Sequence, residues 1–371
     1  MSATIDRSGW KRVRLGDIAG DIRTGKRNGN EHITNGKYPF FIRSQEVQRI
    51  NSYSYDGEAI LIPGEGGIGN IFHYIKGRFD FHQRVYKVSS FSREVNAKFL
   101  FYCMQRNFGP WALSQTSKAA VDSIRMATLQ QFELALPPMT VQNKIYTALT
   151  SIDTHISALQ SLIAKYEAIK KATVNLLLKP KAGWRCVKLR DVCNRFSYGV
   201  GASAVPYDGI NKYIRITDID DLSRAFAPSP LSSPSHFTDD HIVNEGDILF
   251  ARTGASVGKS YLYNPGDGKL IFAGFLIRAS INSDVVDPHV LFLQTLTDRY
   301  WQWVAEESMR SGQPGLNINQ YKELDICIPL LSEQRKIAEK IIAIDNALAD
   351  YKAQLEKARQ LKTGMMSYFF G

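Results

Sequence analysis

The sequence is poor in the residues that metal and redox sites require. Its 371 residues include only four cysteines, Cys103, Cys186, Cys193 and Cys327, with no CxxC pair and no histidine at zinc-ligand spacing. That disfavours a disulfide framework or a zinc knuckle, and the four read as buried or idle thiols. The seven histidines are scattered, with none in an HExxH pattern. No run approaches the roughly 18 apolar residues of a membrane span. The opening MSATIDRSGWKRV has no apolar core of signal-peptide length. These absences predict a soluble, cytoplasmic protein. Acidic residues are also in deficit, 36 against 46 basic, for a net charge of +10. Such an excess suggests a polyanionic partner. The excess is uneven: residues 1–139 carry net +7, 140–181 net +4, 182–331 net −3 and 332–371 net +2. If the third block meets a polyanion, it needs a local basic patch.

Catalytic motifs fail on inspection. TGASVGKS (253–260) has only three residues between Gly254 and Gly258, one short of a phosphate loop. Gly64, Gly66 and Gly69 spell GxGxxG after a strand, but IFHYIKGRFDFHQRVYKV then reads as strand instead of the helix a dinucleotide site requires. LPPM (136–139) lacks the polar first and aromatic last residue of an amino-methyltransferase motif. Asp267 and Lys269 stand alone as nuclease carboxylate and lysine. The two glycine-rich stretches read as tight loops beside a sheet edge.

What the chain does contain is an internal repeat. GWKRVRLGDI (9–18) recurs as GWRCVKLRDV (183–192), and FIRSQEV (41–47) as YIRITDI (213–219). EAILIPGEGGIGN (58–70) recurs as GDILFARTGASVGK (246–259), and LALPPMTVQNKI (134–145) as ICIPLLSEQRKI (326–337). The order is the same in both halves.

Each copy ends in a long helical pattern, with Thr140 and Ser332 as expected N-caps. The first stripe is Ile145, Leu149, Ile152, Ile156, Leu159, Ile163, Tyr166, Ile169 and Thr173. The second is Ile337, Ile341, Ile344, Leu348, Tyr351, Leu355, Ala358, Leu361 and Met365. Four- and three-residue steps of this kind make a coiled-coil seam. A helix of about 40 residues is about 60 Å long, more than one small domain covers. The two seams are therefore expected to cover each other; the alternative is that each helix packs on its own domain. A local twofold makes the helices antiparallel.

Between these helices short runs such as AILI (59–62), RVYKV (84–88), DILFA (247–251) and LIRASI (276–281) predict strands. Residues 98–113 and 288–304 predict helices. The fold class is mixed α/β: two α/β domains separated by a pair of long antiparallel helices, with pseudo-twofold repetition.

This arrangement resembles the specificity (HsdS-like) subunit of type I restriction–modification systems over nearly the whole chain. The resemblance rests on the GW-x-x-V-x-L-x-D opening of each half, the FIRSQEV/YIRITDI strand, the ILIP/ILFAR turn, and the Pro–Gln entry to each long helix at Pro138 and Pro329. It implies target-recognition domain 1 at 1–139, a spacer helix at 140–181, target-recognition domain 2 at 182–331 and a second spacer helix at 332–371. It further implies that each domain reads one half of a split sequence in double-stranded DNA. The helices would set the gap and dock two modification (methyltransferase) subunits, with restriction (translocase/nuclease) subunits completing the complex. This chain would bind no cofactor and catalyse nothing; S-adenosylmethionine and ATP/Mg would belong to its partners. The acidic second block and the short chain leave open a fused nuclease–methylase relative. A scaffold without DNA affinity, or an enzyme with a site in the glycine turns, are the competing readings.

Base edges are read by planar polar groups and phosphates by cations. The candidates are Arg43, Ser44 and Gln45, matched by Arg215, Ile216 and Thr217 and followed by Asp218; Gln83 and Arg84, expected on a strand, as is Arg278; Arg252 and Lys259 flanking the second glycine turn; and Lys118 and Gln313 in small-residue stretches. The structural alternative for Arg43 and Arg215 is an ion pair with Asp17 and Asp191.

Overall fold

Strand residues 59–62 and 248–251 are apolar without a break because both faces of each sheet are covered. Ile60 and Ile62 enter one core cluster and Ala59 and Leu61 another. In the second half Ile248 and Phe250 part from Leu249 and Ala251 in the same way. This is the twofold alternation of a pleated strand buried on both sides. A computed structural model describes residues 7–115, 123–309 and 315–371. The chain divides into two units, one of residues 1–161 with 352–371, the other of residues 162–351.

In the first unit a six-stranded sheet runs Ala19–Thr24, Val85–Phe91, Tyr55–Pro63, His73–Phe81, Tyr38–Phe41, Gln48–Ile50. All neighbours are antiparallel except Tyr38–Phe41, which lies parallel to His73–Phe81. A separate ladder joins Lys11–Arg14 to Glu133–Leu136. The helix Ala97–Ser114 covers one face of the sheet, sharing a core with Ile145, Leu149, Met366 and Phe370.

The second unit repeats the plan. Its sheet runs Cys193–Tyr198, Leu276–Ile281, Asp247–Ala251, Ser260–Leu262. Lys212–Ile214 lies parallel to Leu270–Phe272, and Arg185–Lys188 is laddered to Asp325–Ile328. The expected single helix over 288–304 is two, Pro288–Gln294 and Asp298–Ser308. Thr297 breaks it: its hydroxyl accepts the Tyr300 N–H and starts a new helix, which apolar periodicity does not register.

The long helices are Met139–Leu177 and Leu331–Phe370, so Thr140 and Ser332 are the second helical residues instead of caps. Each helix contributes to both units. In the first, Ile145 and Leu149 pack with Phe370 and Met366, and Asp153 pairs with Lys362 at 2.7 Å. In the second, Lys181 pairs with Glu333, Lys170 with Asp345, and the Tyr166 and Tyr351 rings lie 5.2 Å apart. Within each unit the pairing is antiparallel.

The seam differs from the expected stripe. Ile145 and Leu149 serve the first unit's core, and Ile337 and Ile341 pack on Val290 and Leu293. The helix starts thus pack on their own domains and also on the end of the other long helix, through Met366 and Phe370 in the first unit and Val174 and Leu178 in the second. Leu159, Ile163, Leu348 and Leu355 are buried, and Ile152, Ile156 and Ile344 are half-buried. Leu361, however, is 56% exposed and Ile169 40%, while Val174 and Met366 are buried in place of Thr173 and Met365. A straight helix drifts against a strict heptad, and the stripe slips by one residue near each helix end.

Cys186 and Cys327 face each other across the Arg185–Lys188 and Asp325–Ile328 ladder and form a disulfide, correcting the expectation of idle thiols. Their 141-residue separation matches no sequence motif. Burial pushes the Cys103 and Cys193 thiols up to about 12, which favours the protonated thiol at neutral pH. Among the described residues no group of three or more His, Cys, Asp or Glu could hold a metal, and no helix is long and apolar enough to cross a membrane.

Candidate nucleic-acid interface

In the first unit, four loops meet at one end of the sheet. They are residues 25–32, 42–47, the glycine turn 64–70, and the turn 82–84. Gly29, Ile42, Arg43, Gly66 and His82 line a cavity of about 300 Å³ between them. The glycine turn leaves the third strand of six, so it does not lie at a sheet edge as expected. Gly66 sits at φ +64° and Gly69 at +80°, and a Cβ on Gly69 would stand 2.4 Å from Gly109 of the covering helix. Only glycine permits both conformation and contact.

Glu65, inside that turn, accepts hydrogen bonds from both Arg43 and Arg84 through Oε1. The Arg84 hydrogen bond and the charges of both arginines hold its carboxyl below the usual carboxylate range. Both guanidinium groups remain about half exposed, so each keeps donors free for a further anion. Gln83 and Arg84 lie in the turn before Val85–Phe91 instead of on a strand. Turn geometry requires it: Val85 N–H bonds back to the His82 carbonyl, and Arg84 N–H donates to His82 Nδ1. Gln83 Nε2 donates to Asn28 Oδ1 at 2.8 Å. Ser44 is bound locally, its carbonyl to His73 Nε2 and its hydroxyl to Glu46 N–H, and Gln45 is exposed. Arg27, not anticipated, pairs with Glu31 and the buried Asp80 beside this cluster.

The second unit uses the corresponding residues differently. Arg215 closes on Asp218 three residues on, Nε to Oδ2 at 2.8 Å and Nη2 to Oδ1 at 2.9 Å. Asp218 is buried and also accepts the Arg215 N–H. Arg215 and the buried Asp218 therefore fix their own loop, with the Arg215 side chain still 31% exposed, and Thr217 lies in the short turn between them. Neither Arg43 nor Arg215 pairs with Asp17 or Asp191. Those carboxylates accept the N–H of Arg14 and Lys188, capping the first turn of each half.

Arg278 lies on a strand as expected and is more deeply enclosed. It is 3% exposed and bonds Ser197, the Ile242 and Asp240 carbonyls, and lies 3.6 Å from Asp247. It faces Leu249 across the strands as buried Lys87 faces Leu61 in the first unit. Both are internal cations of a sheet, and their sequence gives no sign of burial. Lys259 is also buried, its ammonium given to the Ile219 carbonyl and to Asp221. That is where a phosphate loop would need it free. Arg252 is half-buried, its guanidinium carbon 4.7 Å from the centre of the Tyr198 ring. Lys118 and Gln313 lie outside the described residues. A larger cavity, about 430 Å³, opens beside Asn175, Lys179, Arg299 and Trp303 and includes none of the expected residues.

A family model described as type I restriction modification DNA specificity domain matches residues 7–169 and again 181–358. The type I restriction enzyme EcoDI specificity subunit of Escherichia coli is 24% identical, covering 90% of this chain and 80% of its own length. A putative type I specificity subunit of Mycoplasma pneumoniae is 22% identical over 96% of this chain and 95% of its own. The crystal structure of a type I restriction–modification S subunit from M. genitalium has the same fold, with TM-score 0.66 and 15% identity over 98% and 96% of the two chains.

Proposed function

The chain belongs to the type I restriction–modification DNA specificity family, and on that premise we propose that it is the target-reading subunit of such a complex. Each α/β domain reads one half of a split double-stranded sequence, and the two long helices set the gap. The helices also dock two adenine methyltransferase subunits, which bring S-adenosylmethionine, and restriction subunits supply ATP/Mg-dependent translocation and cleavage. The chain itself performs no reaction, binds no cofactor and works in the cytoplasm.

Duplication carries this reading. Two sheets that share the order of four strands, each followed by a helix entry clamped in the same manner, make two readers of one architecture with different loops. Differing loops on repeated frames are what two unlike half-sites require. The half-exposed Arg43 and Arg84 suit phosphate or guanine contact.

Co-expression with the methyltransferase subunits of its own host, followed by mapping of methylated adenines, tests the proposal. The expected result is a split motif of two short defined parts with a fixed gap. A stable complex that methylates nothing would favour the protein-binding scaffold.

A further inference from the structure

Resting on the DNA-reading role proposed above, we infer that the second domain reads its half-site partly through an apolar contact: the ring of Phe275 against a thymine 5-methyl group. The backbone supplies the residue-by-residue match between the units. Gly64 N–H bonds the Arg84 carbonyl, and Arg252 N–H bonds the Phe275 carbonyl. Glu65 bridges to Ser123 as Thr253 bridges to Gly315. Thr24 pairs with Tyr86 as Tyr198 pairs with Ile277. Phe275 thus occupies the place of Arg84, Thr253 that of Glu65, and Tyr198 that of Thr24.

Where the first unit offers two arginines on a carboxylate, the second offers aromatic surface. Phe275 is 61% exposed and, among the described residues, contributes to none of its unit's apolar clusters. Tyr198 beside it is 41% exposed. A Cβ on Gly199 would stand 2.3 Å from the Ala273 carbonyl, so the strand carrying Tyr198 lies hard against the turn carrying Phe275. The described core therefore does not account for the exposed ring, and the close backbone approach fixes the main chain of the turn that carries it. The Arg252 guanidinium carbon lies 4.7 Å from the centre of the Tyr198 ring, and its Nε is shielded without an acceptor among the described residues. The outer part of the same guanidinium supplies positive charge in a block of net −3. An apolar side chain beside a planar cation fits a major-groove edge, where the thymine methyl is the apolar group.

The test uses the full complex with its methyltransferase subunits and the mapped target. Each thymine of the second half-site is replaced singly by deoxyuridine, and binding is read by fluorescence anisotropy. One replacement should weaken binding about fourfold, as expected for one buried methyl. Phe275→Ala should weaken the unmodified target to a similar degree and show no further loss at that position. Its log–log salt slope should equal the wild type's, since no phosphate contact is lost. Unchanged binding by Phe275→Ala, or a methyl effect that persists in it, overturns the inference while the split target stands. An unsplit target overturns the two-half-site reading on which the inference rests, and an absent one the DNA-reading role itself.

Discussion

Gln142 and Gln334 do the same task in the two halves of the chain. Each is buried in the first turn of a long helix. Gln142 donates Nε2 to the Pro137 carbonyl at 2.8 Å, and Gln334 donates to that of Pro329 at 3.0 Å. Through Oε1 they accept the N–H of Asn96 and Asp287, the residues that cap Ala97–Ser114 and Pro288–Gln294. One side chain thereby ties a long helix to its domain. The proline partner in the first half is Pro137, one residue before the Pro138 expected from sequence.

Replacing either glutamine with leucine leaves a buried N–H and a carbonyl unpaired. Each variant should lose roughly 1–3 kcal/mol of stability, read by urea unfolding. A loss under about 0.5 kcal/mol would mean the clamp contributes little.

Arg84→Ala should weaken DNA binding evenly across sequences and lower the log–log salt slope by about one. Glu65→Gln should act in the opposite direction, because it releases Arg43 and Arg84 from their shared acceptor. Anisotropy at several salt concentrations distinguishes the two.

Although Arg43 and Arg215 correspond, their alanine variants should part company. Arg215→Ala strands the buried Asp218 carboxylate and should destabilise by about 2 kcal/mol. Arg43→Ala, on an exposed pair, should change stability by less than about 1 kcal/mol and affect DNA binding instead. Thermal unfolding alongside anisotropy checks both.

Burial holds His73, His82 and His289 below the ordinary 6.5, with Arg43 and Arg84 adding to the effect at His82. A depressed histidine favours the neutral folded form. Its stability contribution is full above 6.5 and is lost as pH falls through the lower folded value. Thermal stability should therefore drop between pH 7 and pH 5, and His73→Asn should flatten that fall. An equal drop in the variant would assign it to groups other than His73, with His82 and His289 the next to replace.

Removing one heptad from each long helix shortens it by about 10 Å. The gap of the methylated motif should shrink by about three base pairs. An unchanged gap would mean the helices do not set it.

Much of the frame was legible. Repeat, long helices and central strands follow from periodicity, because an apolar stripe or run records which face meets a core. Partners were less legible. The disulfide, the Thr297 helix break and the buried Lys87 and Arg278 depend on contacts between residues far apart in the chain. Leu361 matched the heptad and is still exposed, since a stripe predicts a face but not what lies opposite it.

By itself the sequence determined that the chain is duplicated, that each copy joins an α/β domain to a long amphipathic helix, and that its positive charge favours the first half. Those properties are local or additive, so they survive without coordinates. Only tertiary structure decided that Arg43 is turned outward to Glu65 while Arg215 closes on Asp218, and that Phe275 stands where Arg84 does. A side chain's hydrogen-bond partner is set by which strand and turn approach it in space. Two copies with the same residue at the same place can therefore use it for opposite ends.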